Sequence, residues 1–220
     1  MKYLITFEKG DSARWLGHLD ILRTFERAIR RADLPIAFSS GFNPRERISF
    51  ASALPVGVTG SREPATIELT LPLEPHEIIQ RLNEKLPPGI QLHTAELIAD
   101  ENSRDVMNAL DRAEVEVTCL VSDETKLDEL SAAVTELMLK SELVVRRERE
   151  KKVKMVDIRP YLHRIDLLGI EENRLKMVIL FSLGAEGSAR PAEVVEFLAD
   201  VAPGIAVRRV HRRRLLSSIA

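Results

Sequence analysis

The chain has 220 residues, 45% apolar and 30% charged, with a formal net charge of −2. This composition describes a globular protein rather than a disordered one, with room for one large domain or two compact ones. No apolar run approaches the roughly 18 residues of a membrane span and "MKYLITFEKG" lacks a signal-peptide pattern, so no membrane partner and a cytoplasmic location are expected.

Residues 2–8, "KYLITFE", read as a strand, and the spacing predicts a helix over 17–33 with Gly17 as its N-cap. Leu22, Phe25, Ile29 and Ala32 fall on one stripe of that helix and are its expected core face. Short strands are predicted near 36–39 and 47–53, then a strand over "ATIELTL", a helix over 75–86 and a strand over "IQLHTAEL". The second half repeats the order. "AEVEVTCLV" reads as a strand, 126–140 as a helix, "ELVVRRERE" and "RLKMVILFSL" as strands, 191–201 as a helix and "IAVRRVHRR" as a strand.

Each half therefore reads βαββαβ, the split-βαβ or ferredoxin-like pattern. The predicted fold class is α+β, with tandem ferredoxin-like halves whose antiparallel sheets carry helices on one face. An internal match supports duplication: "EPHEIIQRLNEKLPPGIQL" from Glu74 and "RPAEVVEFLADVAPGIAVR" from Arg190 share an early proline and a closing Pro-Gly-Ile. The expected boundaries are 1–98 and 113–220, with 99–112 as connector.

Cys119 is the only cysteine, which excludes an intrachain disulfide, a cysteine zinc site and a self-contained iron–sulfur cluster. Its alternating surroundings make it a strand residue facing the core. The histidines lack metal-ligand spacing with one another, so neither a metal nor another cofactor is expected. Charge is unevenly spread. Residues 95–142 carry thirteen acids against four Lys/Arg, 143–164 carry eight Lys/Arg against three acids, and "RRVHRRR" at 208–214 carries five arginines and no acid.

Four stretches hold candidate binding residues. Arg23, Arg27 and Arg30 at i, i+4, i+7 offer guanidinium groups spaced for successive phosphates; a solvated helix face with a Glu26–Arg30 pair explains the same letters. In "GFNPRERISFASALPVG", Gly41 and Asn43-Pro44 are turn chemistry, Phe50 reads as core, and Phe42, Arg45 and Arg47 form an expected binding loop beside small residues. Arg208, Arg209, Arg212 and Arg213 are expected to join these on one basic face. In "GAEGSARP", Ser188 and Arg190 are a candidate anion site, with helix capping as the alternative. Alternation in 146–151 sets Arg147, Arg149 and Lys151 on one strand face. His18, in the first helical turn, is the one weak catalytic candidate, and a packing histidine is the commoner outcome.

The run "FEKGDSARWLGHLDILRTFERAIRRADLPIAFSSGFNPRERISFASALPVGV", with "KMVDIRPYL" and "GSARPAEVV", resembles the radical-SAM-associated family of domains of unknown function. Gly17 stands where serine usually precedes His-Leu-Asp, and Arg45-Glu46-Arg47 replaces His-Pro-Lys. The resemblance implies an accessory protein working with a radical SAM protein. Lacking CxxxCxxC, this chain is not that enzyme. With the basic stretches, the expected function is a non-catalytic module that binds RNA or presents an RNA-related substrate. The alternatives are a protein-interaction scaffold with a basic face and a metal-independent endoribonuclease using His18.

Overall fold

The computed structural model describes residues 1–99, 106–149, 152–184 and 187–218. It is an α+β protein whose sheet pairings are antiparallel wherever register is defined. The chain divides into two units, Met1–Leu110 with Arg212–Ala220, and Asp111–His211. Residues 100–105, most of the first part of the expected connector, lie outside the described residues. Among the described residues no helix is long and apolar enough to cross a membrane.

In the first unit, β1 (Lys2–Lys9) alternates strictly, with Tyr3, Ile5, Phe7 and Lys9 buried. Helix α1 (His18–Arg31) starts at Gly17, whose extended N–H donates to the Asp20 carboxylate at 3.1 Å. Its buried face is Ile21, Phe25, Ala28 and Ile29, one position away from the expected Leu22, which is only half-buried. Adjacent apolar residues at 21 and 22 make either rotation plausible in sequence; packing selects Ile21. Phe25 meets Phe7 edge-on at 4.9 Å and Phe50 at 5.6 Å, so Phe50 is tied to the core as expected.

Strand β2 (Ile48–Phe50) is shorter than predicted. β3 (Val58–Glu68) begins well before "ATIELTL", and α2 (Pro75–Asn83) leads to β4 (Ile90–Ile98). Residues 36 and 38 form only isolated bridges, Ile36 with Leu69 and Phe38 with Glu46. Asn83 fastens α2 to β4, its side chain exchanging bonds of 2.8 and 2.9 Å with the Leu92 backbone. Arg81 donates to the Ala32 and Asp33 carbonyls just past α1, placing a cation at that helix's negative end. The strand order is β4-β1-β3, with β2 and the last strand, β10 (Ala206–Ser217), also on β3.

In the second unit, β5 (Leu110–Leu120) buries Ala113, Val115, Val117 and Cys119. Helix α3 (Leu127–Leu139) buries Leu130, Val134 and Leu137. The predicted strand at 142–150 is not in the sheet: β6 (Val144–Arg149) pairs only with β7 (Lys152–Asp157), a separate hairpin. Its place is taken by a strand the sequence reading omitted, β8 (Leu162–Glu171), which pairs with β9 (Arg174–Ser182). The junction between hairpin and β8 is fixed by Asp157, whose Oδ1 accepts the Leu143 and Arg159 N–H groups at 2.7 and 2.9 Å. Arg159 then donates to the Met138 and Lys140 carbonyls at the end of α3. Helix α4 (Pro191–Glu196) is shorter than the predicted 191–201, and the strand order is β10-β5-β9-β8.

Both Pro-Gly-Ile turns enter a strand through a glycine at positive φ, Gly89 at 87° and Gly204 at 77°. At Gly89 a Cβ would also meet the Ala13 backbone nitrogen at 2.8 Å, and the Gly89 carbonyl accepts the Gly10 N–H at 2.7 Å. At Gly204 a Cβ would meet open space.

Candidate nucleic-acid interface

The expected basic residues divide between the units, and several are neutralised where they stand. On α1, Arg23, Arg27 and Arg30 are all exposed. Arg23 lies 3.9 Å from Asp20, and Arg30 Nε donates at 2.6 Å to Glu46, whose carboxylate is turned inward. Arg27 makes no ion pair among the described residues. In the loop, Phe42 and Arg45 are exposed, whereas Arg47 donates to Glu68 at 2.9 Å. On β10, Arg208 and Arg209 are exposed and belong to the second unit; Arg212 and the half-buried Arg213 belong to the first.

Arg212 is not a surface residue. It is 5% exposed, Nε donates to Glu63 Oε1 at 2.9 Å, Nη2 meets the other carboxylate oxygen, and the Ser52 hydroxyl and carbonyl accept at 3.3 and 3.2 Å. Such a fully paired buried cation is unavailable to phosphate. The acids that capture Arg30, Arg47 and Arg212 lie 16, 21 and 149 residues away, so local charge counts could not register them.

Beside this pair is Lys9, with no solvent exposure, whose Nζ donates to the Leu16 carbonyl at 2.8 Å and the Pro55 carbonyl at 3.2 Å. Desolvation holds its pKa below the ordinary lysine value, against the pull of Glu63 and with the push of Arg212. Lys9 thus fastens the turn before α1 to the 50–57 loop. It also lines, with His18, Ser52 and Glu63, a void of about 10 Å³, the space of a single water. His18 is exposed at the start of α1, edge-on to Phe50 at 5.6 Å, a packing role. Among the described residues no hydrogen bond joins it to a hydroxyl or thiol nucleophile.

The Ser188–Arg190 position is occupied by the protein's own carboxylate. Glu193 accepts the Arg190 N–H at 3.0 Å and two bonds from Arg147 at 2.7 and 2.8 Å, while the Ser188 carbonyl accepts a third from Arg147. Arg147 is accordingly inward and paired rather than on an exposed strand face; Glu150 and Lys151 lie outside the described residues. One pair went unnoticed in the sequence: His163 Nε2 is 2.7 Å from Ser182 Oγ, and burial with neighbouring Arg112 lowers the His163 pKa. The two residues are 19 apart and no motif announces them. No cluster of metal-ligating side chains occurs among the described residues.

Larger depressions lie on the open sheet faces, among them one of about 570 Å³ lined by Thr6, Glu8, Arg62, His93 and Glu96 in the first unit. In the second unit a groove of about 590 Å³ is lined by Glu116, Thr118 and Leu120 of β5, Arg174 and Lys176 of β9, and Arg208 and Arg209 of β10. Thr118 stands opposite Lys176 and Leu120 opposite Arg174, so period-2 alternation aims these side chains away from the buried Val117 and Cys119. Lys176 makes a loose 3.5 Å contact with the exposed Glu171, which screens it little. In the first unit a pocket of about 400 Å³ lies over β2 and β3, lined by Lys2, Arg47, Ser49, Phe50, Ala51, Thr66, Glu68, Met107 and Asn108.

Residues 2–191 match the model of the family described as "Uncharacterized protein conserved in bacteria (DUF2344)", and the chain belongs to that family. No curated protein sequence matches it. Among solved structures it is similar to a Cbf5-Nop10-Gar1 complex, at TM-score 0.57 and 11% identity over 97% of this chain and 48% of that one. It is also similar to an H/ACA RNP bound to a substrate RNA containing 2'-deoxyuridine, at 0.54 and 11% over 97% and 47%. A third is the archaeal box H/ACA sRNP Nop10-Cbf5 complex, at 0.53 and 12% over 97% and 47%. The chain spans about half the length of these solved structures, and at such identities the likeness shows the fold alone.

Proposed function

We propose that this DUF2344 member is a non-catalytic RNA-binding module. The observation that carries the reading is the groove of the second unit, where Arg174, Lys176, Arg208 and Arg209 surround Thr118 and Leu120 with Glu116 as the one acid in the lining. Guanidinium groups on an open sheet face hold phosphates, and the aliphatic and hydroxyl side chains between them give ribose or base a surface to lie on. The similar H/ACA RNP structure with its substrate RNA agrees with such a role. Arg27 and Arg45, exposed in the first unit, are further phosphate contacts in this reading.

The strand orders β4-β1-β3-β2 and β10-β5-β9-β8 support regarding each unit as a ferredoxin-like half, with the β6–β7 hairpin inserted in the second. A radical SAM protein as working partner rests on the sequence resemblance alone. A second reading, a scaffold for a protein partner, draws on the exposed Trp15, Leu19 and Val56; Trp15 and Val56 gather beside Gly57 and Gly17. An endoribonuclease reading has only His18 to stand on.

The test is fluorescence anisotropy with a labelled single-stranded 20-nucleotide RNA over about 50–300 mM salt. The expected result is log-linear weakening with a slope of about −0.7 for each phosphate neutralised, and no RNA cleavage. Absence of binding at the lowest salt overturns the proposal and leaves the scaffold reading in its place.

A further inference from the structure

A buried cation and an exposed tryptophan meet at the turn before α1. Lys9 has no solvent exposure, and its ammonium donates to the Leu16 and Pro55 carbonyls at 2.8 and 3.2 Å. The residues beside those two carbonyls, Trp15 and Val56, are 68% and 59% exposed. One buried lysine therefore fastens together two turns that display apolar side chains outward. The Gly57 N–H closes the same junction, donating to the Arg14 carbonyl at 2.8 Å. The packing is close: a Cβ on Gly57 would lie 3.6 Å from the Trp15 ring, and one on Gly17 would lie 3.5 Å from Val56. The Arg14 guanidinium sits over the indole, 4.6 Å from the ring centroid. Its buried Nε has no hydrogen-bond partner, and its side chain makes no ion pair among the described residues.

We propose that Trp15 is a stacking platform for an unpaired base of single-stranded RNA, with Arg14 taking the adjacent phosphate. The inference rests on the RNA-binding reading and adds to it a base contact carried by the first unit. Charge decides between occupants. An apolar protein side chain would use the indole and leave the Arg14 cation unmatched, whereas a nucleotide uses both. The guanidinium covers one ring face, and most of the remaining indole surface is open to a second planar group. Lys9 and the Gly57 N–H hold the turn before any ligand arrives, so stacking orders no loop and loses little entropy. Val56 extends the apolar surface beside the ring.

Trp15 is the sole tryptophan, so intrinsic indole fluorescence reads this position alone. The full chain is titrated with a short oligoadenylate and with an abasic ribose-phosphate strand of equal length, while anisotropy of a labelled oligoadenylate follows total binding. The oligoadenylate is expected to quench the indole saturably, and the abasic strand to leave it nearly unchanged. Trp15→Ala, at an exposed position, is expected to keep the melting curve and weaken RNA binding at least about fivefold, with the salt slope unaltered. Arg14→Gln is expected to make that slope shallower by about 0.7. RNA binding without quenching, or with an affinity indifferent to Trp15→Ala, overturns the platform and leaves the groove standing. Trp15 and Val56 then return to the scaffold reading. Quenching that survives Arg174→Ala/Arg208→Ala at unchanged affinity upholds the platform and removes the groove. Absence of any RNA binding overturns both.

Discussion

The two units share an order of elements but use their charged residues differently. In the first, the cations next to the sheet are largely consumed internally: Arg30 by Glu46, Arg47 by Glu68, and Arg212 by Glu63. In the second, Arg147 is captured by Glu193, yet Arg174 and Arg208 remain exposed on the open strand face. One unit therefore holds a buried polar lock and the other a basic surface. Sequence charge alone assigns both units the same role; only the placement of distant acids separates them.

The largest expected effect falls on the lock. Glu63→Gln leaves Arg212 without its carboxylate at a site where both side chains are at most 6% exposed. Unfolding in denaturant should show a loss of about 3–5 kcal/mol. The contrasting substitution is Arg146→Ala, which breaks a 3.4 Å pair with Glu148 between side chains 64% and 63% exposed, and should cost no more than about 1 kcal/mol. Equal losses in the two variants would erase the distinction.

The twin glycines give a finer comparison. Gly204→Ala places an alanine at positive φ in open space and should cost about 1–2 kcal/mol. Gly89→Ala adds a clash with the Ala13 backbone and should cost clearly more, measured by the same denaturation. Lys9 sets a pH signature. Its folded pKa is below the 10.5 of the unfolded chain, so between those values the unfolded state holds more protons. This group's contribution to stability should therefore rise with pH toward 10.5, and Lys9→Met should flatten that part of the profile. Smallest in functional consequence is Cys119, whose thiol burial pushes up to about 11. Alkylation of the native protein at pH 8 should be at least about a thousandfold slower than in denaturant.

Much of the framework was legible because periodicity is local. β1, α1, α3 and β9 announce themselves through alternation or 3.6-residue spacing, and the two Pro-Gly-Ile turns through their glycines. β8 was missed because it is an edge strand with only Leu162 and Ile165 buried, so its alternation is faint. The charged run 146–149 offers a stronger strand pattern nearby, although it forms a hairpin outside the sheet. The site was less legible than the fold. Glu46 reads as one of three exposed charges in Arg45-Glu46-Arg47, yet it is 8% exposed and holds Arg30. Arg174 and Lys176 carry no site signal in the sequence, because their neighbours Arg208 and Arg209 in the groove are more than thirty residues further along the chain.

The most direct test of the central claim is the salt dependence of RNA binding in the Arg174→Ala/Arg208→Ala double variant. Both side chains are exposed, so the fold should persist with an unchanged melting temperature. If each holds one phosphate of a single strand, the variant should bind more weakly, and the log–log salt slope should become shallower by about 1.4. A slope and affinity indistinguishable from those of the original chain would contradict the account and remove the groove as the RNA surface.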